Sequence, residues 1–97
     1  MSKLHMKGRI LQLINDRCDA GIWDWEISEA IQREYGVSGH YWKGTIRVTL
    51  TDLYSSGIIE SIEEKLDDEA YFGLDKVLFR FRMNEFGRQR MRDAELV

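Results

Sequence analysis

Lys43, Thr45, Arg47, Val48 and Thr51 fall within one short stretch, and each is of a type that meets DNA. The planar fork of an arginine can grip O6 and N7 of guanine, worth roughly 1–3 kcal/mol of discrimination against the wrong base, which makes Arg47 the first candidate for a base contact. Thr51 suits a base edge or a phosphate, and Val48 a thymine methyl. Lys43 and Thr45, with the free backbone amides of a helix start, suit a phosphate. His40 and Tyr41 precede that start and are candidates for the same backbone. The plain alternative is that Arg47 is a solvated helix arginine and His40 an ordinary turn histidine.

A second set of cations follows. From Glu60 to Glu69 there are six acids and one base, and from Lys76 to Arg92 six bases and one acid. Arg80 and Arg82 share one face of a strand, and Arg88 and Arg92 lie one helical turn apart. They either line a surface for phosphates or a partner, or pair across a hairpin with Glu60, Glu63 and Glu64. The second account leaves Lys43 and Arg47 as the main free cations, so that tight DNA binding would need a dimer. Asp67, Asp68 and Glu69 form an acidic tip. They lack the alternating oxygen ligands and the glycine of a calcium loop, and they are the alternative face for a protein partner.

Other chemistry finds little support. The two histidines, His5 and His40, lie on different segments, so no nucleophile, base and orienting group assemble. The single cysteine, Cys18, excludes an internal disulfide and a cysteine zinc site, and it falls on an apolar helical stripe. No glycine loop has phosphate-binding spacing. No enzyme, cofactor or metal site is expected. With 97 residues there is room for one domain, 1–97. The net charge of −3 argues against a polycation that coats nucleic acid by charge alone. No apolar run is long enough for a membrane span, the N-terminal residues lead into no signal-peptide core, and a lone cysteine suits a reducing cytoplasm.

The elements that must position these residues follow from periodicity. Leu4, Ile10, Leu11, Ile14 and Cys18 share a stripe, widened by Met6 and Leu13, that predicts a helix from Ser2 or Lys3 to about Ala20. Its surplus apolar width suits a second subunit, or is absorbed by the small domain itself. Asp24 is a good N-cap for a second helix, whose buried face is Trp25, Ile27, Ala30, Ile31 and Tyr35 and which ends at Gly36. Ile46, Leu50 and Leu53 give a third helix over Lys43 to Ser56, stopped by Gly57. Ile58 to Glu63 reads as a strand. Val77, Phe79, Phe81 and Met83 alternate with Leu78, Arg80 and Arg82 in another, and Lys65 to Asp75 form the hairpin tip. Asn84 caps a last helix through Arg92, against which Gly87 counts. The fold expected is α+β, mostly α: a winged helix-turn-helix of three helices, a two-stranded β-hairpin wing and a short C-terminal helix.

Three stretches carry a resemblance. Gly21-Ile22-Trp23-Asp24-Trp25-Glu26-Ile27, the run from Gly44-Thr45-Ile46 through Leu50 and Leu53 to Gly57-Ile58-Ile59-Glu60, and Phe81-Arg82-Met83-Asn84-Glu85-Phe86-Gly87-Arg88 are similar, in order, to signature segments of the PadR-type winged-helix transcription regulators. The MarR type is a more distant likeness. Trp25 replaces the family's tyrosine, Arg47 and Val48 stand where it commonly has Tyr and Pro, and acids occupy the wing tip. The resemblance implies a sequence-specific DNA-binding regulator, a repressor that binds double-stranded DNA as a homodimer through its first and last helices. The rival expectation is a winged-helix interaction module that binds a protein, not DNA, through the acidic wing and the basic C-terminal helix.

Overall fold

The computed structural model describes residues 5–67, 71–73 and 76–94, without the side chain of Cys18. Helix α1 (Met6–Asp16) is followed by a single 3-10 turn (Cys18–Ala20) and a short strand β1 (Ile22–Trp23). Helices α2 (Asp24–Tyr35) and α3 (His40–Ser55), strands β2 (Ile59–Leu66) and β3 (Val77–Met83), and helix α4 (Glu85–Asp93) complete the chain. No helix among the described residues is long and apolar enough to cross a membrane.

The apolar stripes do what their spacing demands. Ile10 and Ile14 of α1, Ile27 and Ile31 of α2, and Ile46 and Leu53 of α3 are fully buried in one core. Met83 of β3 and Met91 of α4 close it from below. Burial of this kind contributes about 25 cal/mol per Å² of apolar surface, which fixes which face of each helix turns inward. Met6 and Leu13, the surplus width of α1, pack partly buried against the same core.

Expected boundaries shift for local reasons. The first helix ends at Asp16 rather than Ala20, because the chain tightens at Arg17 into the 3-10 turn. Asp24 is not the N-cap of α2. Trp23 takes that place, and its N–H donates to Glu26 Oε1 at 3.3 Å. Helix α2 ends on Gly36, whose left-handed backbone (φ 67°) lets its N–H return to the Gln32 carbonyl. Helix α3 starts at His40, not Lys43, so Tyr41 and Trp42 lie in its first turn.

The sheet has three strands where two were expected, in the order β1-β3-β2, all antiparallel. The extra strand pairs Ile22 with Phe81 and Trp23 with Arg80. Between β2 and β3 the register shifts: Ser61 faces Phe81 and Glu63 faces Arg80, leaving Ile62 as the extra residue of a bulge. The bulge brings Glu63, not Ile62, opposite Arg80. Glu60 and Glu63 then meet Arg82 and Arg80, which point to one side of β3.

Gly87 is the seat of α4. A Cβ there would lie 2.5 Å from Met83 Sδ and 2.9 Å from Ile58 Cγ2, besides striking the Ile58 carbonyl. The glycine that weakened the helix in sequence terms is what lets α4 approach this closely. Asn84 caps it as expected, its Oδ1 accepting the Gly87 N–H at 2.7 Å.

Candidate nucleic-acid interface

The described residues between β2 and β3 (67, 71–73 and 76) do not stand away from the molecule. They fold back onto α2 and α3, and Asp67 holds them there. This side chain is 3 % exposed, and its carboxylate accepts the N–H groups of Tyr71, Phe72 and Gly73 at 3.3, 2.6 and 2.9 Å. The expectation of Asp67 as an exposed contact acid is therefore corrected: three backbone donors and burial hold it inside the turn. Asp68 and Glu69 lie outside the described residues.

The anchored loop makes three contacts with the helices. Tyr71 stacks on Trp25 with ring centroids 4.3 Å apart. Its carbonyl accepts from Lys43 Nζ at 3.1 Å. The Arg47 guanidinium lies 4.5 Å from the centre of the Phe72 ring, and its Nη2 reaches the Val77 carbonyl at 3.4 Å. Arg47 is thus half-buried against the hairpin, not solvated and not spread on the outer face of α3. The Phe72 ring and the Val77 carbonyl supply a cation–π contact and an acceptor that water would otherwise provide.

Along this seam runs a groove of about 320 Å³, lined by His40, Lys43, Gly44, Arg47, Phe72 and Lys76, with Val48 at its edge. It lies at the start of α3. Gly39 gives that start no side-chain cap, and its first turn holds no acid. The first amides of a helix carry the positive end of its dipole. Lys43, Arg47 and Lys76 add full charges around the same space, a fit for phosphate.

The outer face of α3 is less charged than expected. Tyr41 is 74 % exposed and Val48 61 %. Thr45 Oγ1 donates to the Tyr41 carbonyl at 2.9 Å and Thr51 Oγ1 to the Arg47 carbonyl at 3.0 Å. Both hydroxyl oxygens still have lone pairs to accept a donor from outside. The structure therefore gathers His40, Lys43, Arg47 and Val48 on the groove, leaves Tyr41, Thr45 and Thr51 outside it, and adds Lys76.

The second set of arginines is spent on ion pairs. Arg80 meets Glu63 at 2.8 Å and Arg82 meets Glu60 at 3.2 Å, as the cross-hairpin account has it. Arg88 pairs instead with Asp19 at 3.3 Å, tying α4 to the 3-10 turn, and Arg92 with Glu85 of its own helix at 3.4 Å.

Asp24 is the polar residue that the sequence misplaced. It is 2 % exposed, and its Oδ2 accepts the Phe79 N–H at 3.2 Å, joining α2 to β3. Burial pushes its carboxyl up to about 6, against the opposing pull of the Phe79 N–H and the Arg47 charge. The loop aromatics Tyr71 and Phe72 were also missed. Their signal was two adjacent large rings inside a stretch otherwise read as a solvated acidic tip.

Compared with family models, curated proteins and solved structures, the chain matches none.

Proposed function

We propose that the chain is a winged helix-turn-helix DNA-binding regulator. Helices α2 and α3 form the helix-turn-helix, and the β2–β3 hairpin with its folded loop forms the wing. Helix α3 lies in the major groove, its N-terminal half leading. One observation carries this reading: Lys43, Arg47 and Lys76 surround a single groove at the uncapped start of α3, while Arg80, Arg82, Arg88 and Arg92 are paired elsewhere. Lys43 and Lys76 hold the phosphate backbone. Val48, Thr51 and Tyr41 face the bases. With so few cations per protomer, useful affinity requires two copies. Phe86 of α4, 56 % exposed, is apolar surface for a second copy to cover. A homodimer through α1 and α4 on an inverted repeat then represses by blocking polymerase.

The test is retention of DNA by the purified protein, from random duplexes and from genomic fragments, at stepped salt. Binding should fall with a log–log slope near −0.9 per phosphate neutralised. Lys43→Ala with Lys76→Ala should flatten that slope by roughly two phosphates' worth while the circular dichroism spectrum stays unchanged. An enriched inverted repeat with half-sites about one helical turn apart supports the dimer. No retention even at low salt overturns the reading.

A second reading rests on a specific observation. The outer groove of α3, between Tyr41, Gly44, Thr45 and Val48, carries no Lys or Arg and presents two large exposed apolar side chains. A protein partner fits such a face better than a phosphate backbone does. In that case Val48→Asp should break a partner complex, and Lys43→Ala with Lys76→Ala should leave it intact.

A further inference from the structure

Tyr41, Gly44, Val48 and Thr51 recur at spacings of three, four and three along α3. They form one exposed stripe on the side turned away from Ile46, Leu50 and Leu53. Thr45 and Thr49 join the first three around a groove of about 470 Å³. Among the described residues no Lys or Arg lines it. The Arg47 guanidinium is held against the hairpin by the Phe72 ring and the Val77 carbonyl.

The hydroxyls on this side are spent as donors. Thr45, Thr49 and Thr51 each give their proton to the carbonyl four residues back, at 2.9, 3.0 and 3.0 Å. Each keeps a methyl group and an accepting oxygen, but no donor. Guanine shows two acceptors in the major groove, O6 and N7, and beyond the first turn of α3 the stripe has no side-chain donor to offer them. The base feature that asks for neither charge nor hydrogen bond is the methyl group on C5 of a pyrimidine.

Gly44 shows where such a group fits. A Cβ there would meet nothing within 4 Å, and the residue is exposed. It lies inside α3 without a positive φ, where alanine is the more stable residue. Gly87 is required by the packing of this chain, whereas nothing in the chain requires Gly44. The missing Cβ leaves room for an outside group to come close to the helix backbone.

We infer that α3 recognises the C5-methyl group of a pyrimidine, thymine or 5-methylcytosine, seated over Gly44 between Tyr41 and Val48. This rests on the reading of α3 in the major groove, the side of the duplex on which that methyl lies. Burying one methyl changes affinity about fourfold.

The purified protein is offered three random duplex pools at low salt: thymine with cytosine, uracil with 5-methylcytosine, and uracil with cytosine, which carries no C5-methyl. Sequences are selected from each, and the affinities of the best are compared. One methyl-bearing pool or both should bind at least about fourfold more tightly than the third, with a methylated pyrimidine at a fixed place. The pool that does so names the source of the methyl. Val48→Ala should weaken the methyl-bearing site about as much as removing its methyl does, and should leave the demethylated site unchanged. Gly44→Ala separates recognition from packing. It should raise the melting temperature by a few degrees and still weaken binding, because the added carbon helps the helix and fills the seat. Equal affinity for all three pools overturns the inference and leaves DNA binding standing. A Gly44→Ala variant that binds the methyl-bearing site as tightly as the unaltered protein overturns it too. No retention from any pool overturns DNA binding itself, and the inference with it.

Discussion

The β2–β3 stem with α4 and the seam between α3 and the folded loop are neighbours built on opposite plans. In the stem, Arg80 and Arg82 each meet a glutamate across the strands, and Gly87 lets α4 close on Ile58. Among the described residues of the stem, Arg80 Nε is the one buried polar side-chain atom without a partner, and its guanidinium still pairs with Glu63 and lies 5.9 Å from the Trp23 ring. In the seam, Asp24 is buried and Arg47 half-buried, each with a shielded polar atom that has no partner among the described residues, and two cavities flank Arg47. The stem spends its charge on holding itself together. The seam leaves polar atoms unpaired and space unfilled.

The sharpest test of the closed half is Gly87→Ala. Within a helix this change ordinarily stabilises by up to about 1 kcal/mol. Here the added carbon meets Met83 Sδ at 2.5 Å and the Ile58 backbone, so the sign should reverse. A loss of about 3–4 kcal/mol is expected in urea unfolding. Unchanged or raised stability would show that α4 is not tightly seated and would erase the contrast.

Asp67→Ala tests what closes the open half. It removes the acceptor of three backbone N–H groups at the fold of the loop. A loss of about 2–3 kcal/mol is expected, since those donors are left in a partly buried turn without a charged partner. Tyr71 should then leave Trp25, changing tryptophan fluorescence well before global unfolding. Fluorescence that tracks global unfolding throughout would mean that the loop does not depend on Asp67.

Asp24 gives the seam a pH dependence of unusual sign. Its folded carboxyl is raised from 3.8 to about 6, so between those values the folded state binds the proton and the unfolded state does not. Stability from this group is fully present below about pH 3.8 and is lost as pH rises through 6. At about 1.4 kcal/mol per pH unit the change is roughly 2–3 kcal/mol. Wild-type protein should therefore gain stability from pH 7 down to about pH 4.5, and Asp24→Asn should be nearly flat over that range. Equal slopes for the two proteins would assign the dependence to other groups.

What the sequence revealed and concealed follows the same division. The helices of the core were legible because Ile46, Leu50 and Leu53, or Ile10 and Ile14, repeat at the helical period, and periodic burial is a local property. The glutamate–arginine pairs of the stem were legible because opposite charges alternate on adjoining strands. Strand β1 was not, since two residues running directly into a helix have no period to read. The place of Arg47 was not, since it depends on Phe72 and Val77, brought back over α3 by Asp67. Asp24 has the chemistry of an N-cap, but its partner amide lies 55 residues away. Gly87 reads as a helix breaker until the Ile58 backbone is set against it. Local pattern gives the elements, and the seam is made of distant contacts between residues whose local roles are all ordinary.

The smallest expected effect is the most direct measure of what the stem's charges do. The Arg80–Glu63 pair is short at 2.8 Å, but its side chains are 34 % and 48 % exposed. Water competes for both ions and salt screens them, so a double-mutant cycle of Arg80→Ala and Glu63→Ala should give a coupling of only about 0.5 kcal/mol. That coupling should fade in high salt. Its value bears on the seam as well. A weak pair still neutralises Arg80, and removing Glu63 would leave its positive charge uncompensated. Glu63→Ala with Glu60→Ala should then cost little stability yet raise low-salt DNA retention. If retention does not rise, the charges of the stem and those of the groove act on separate surfaces.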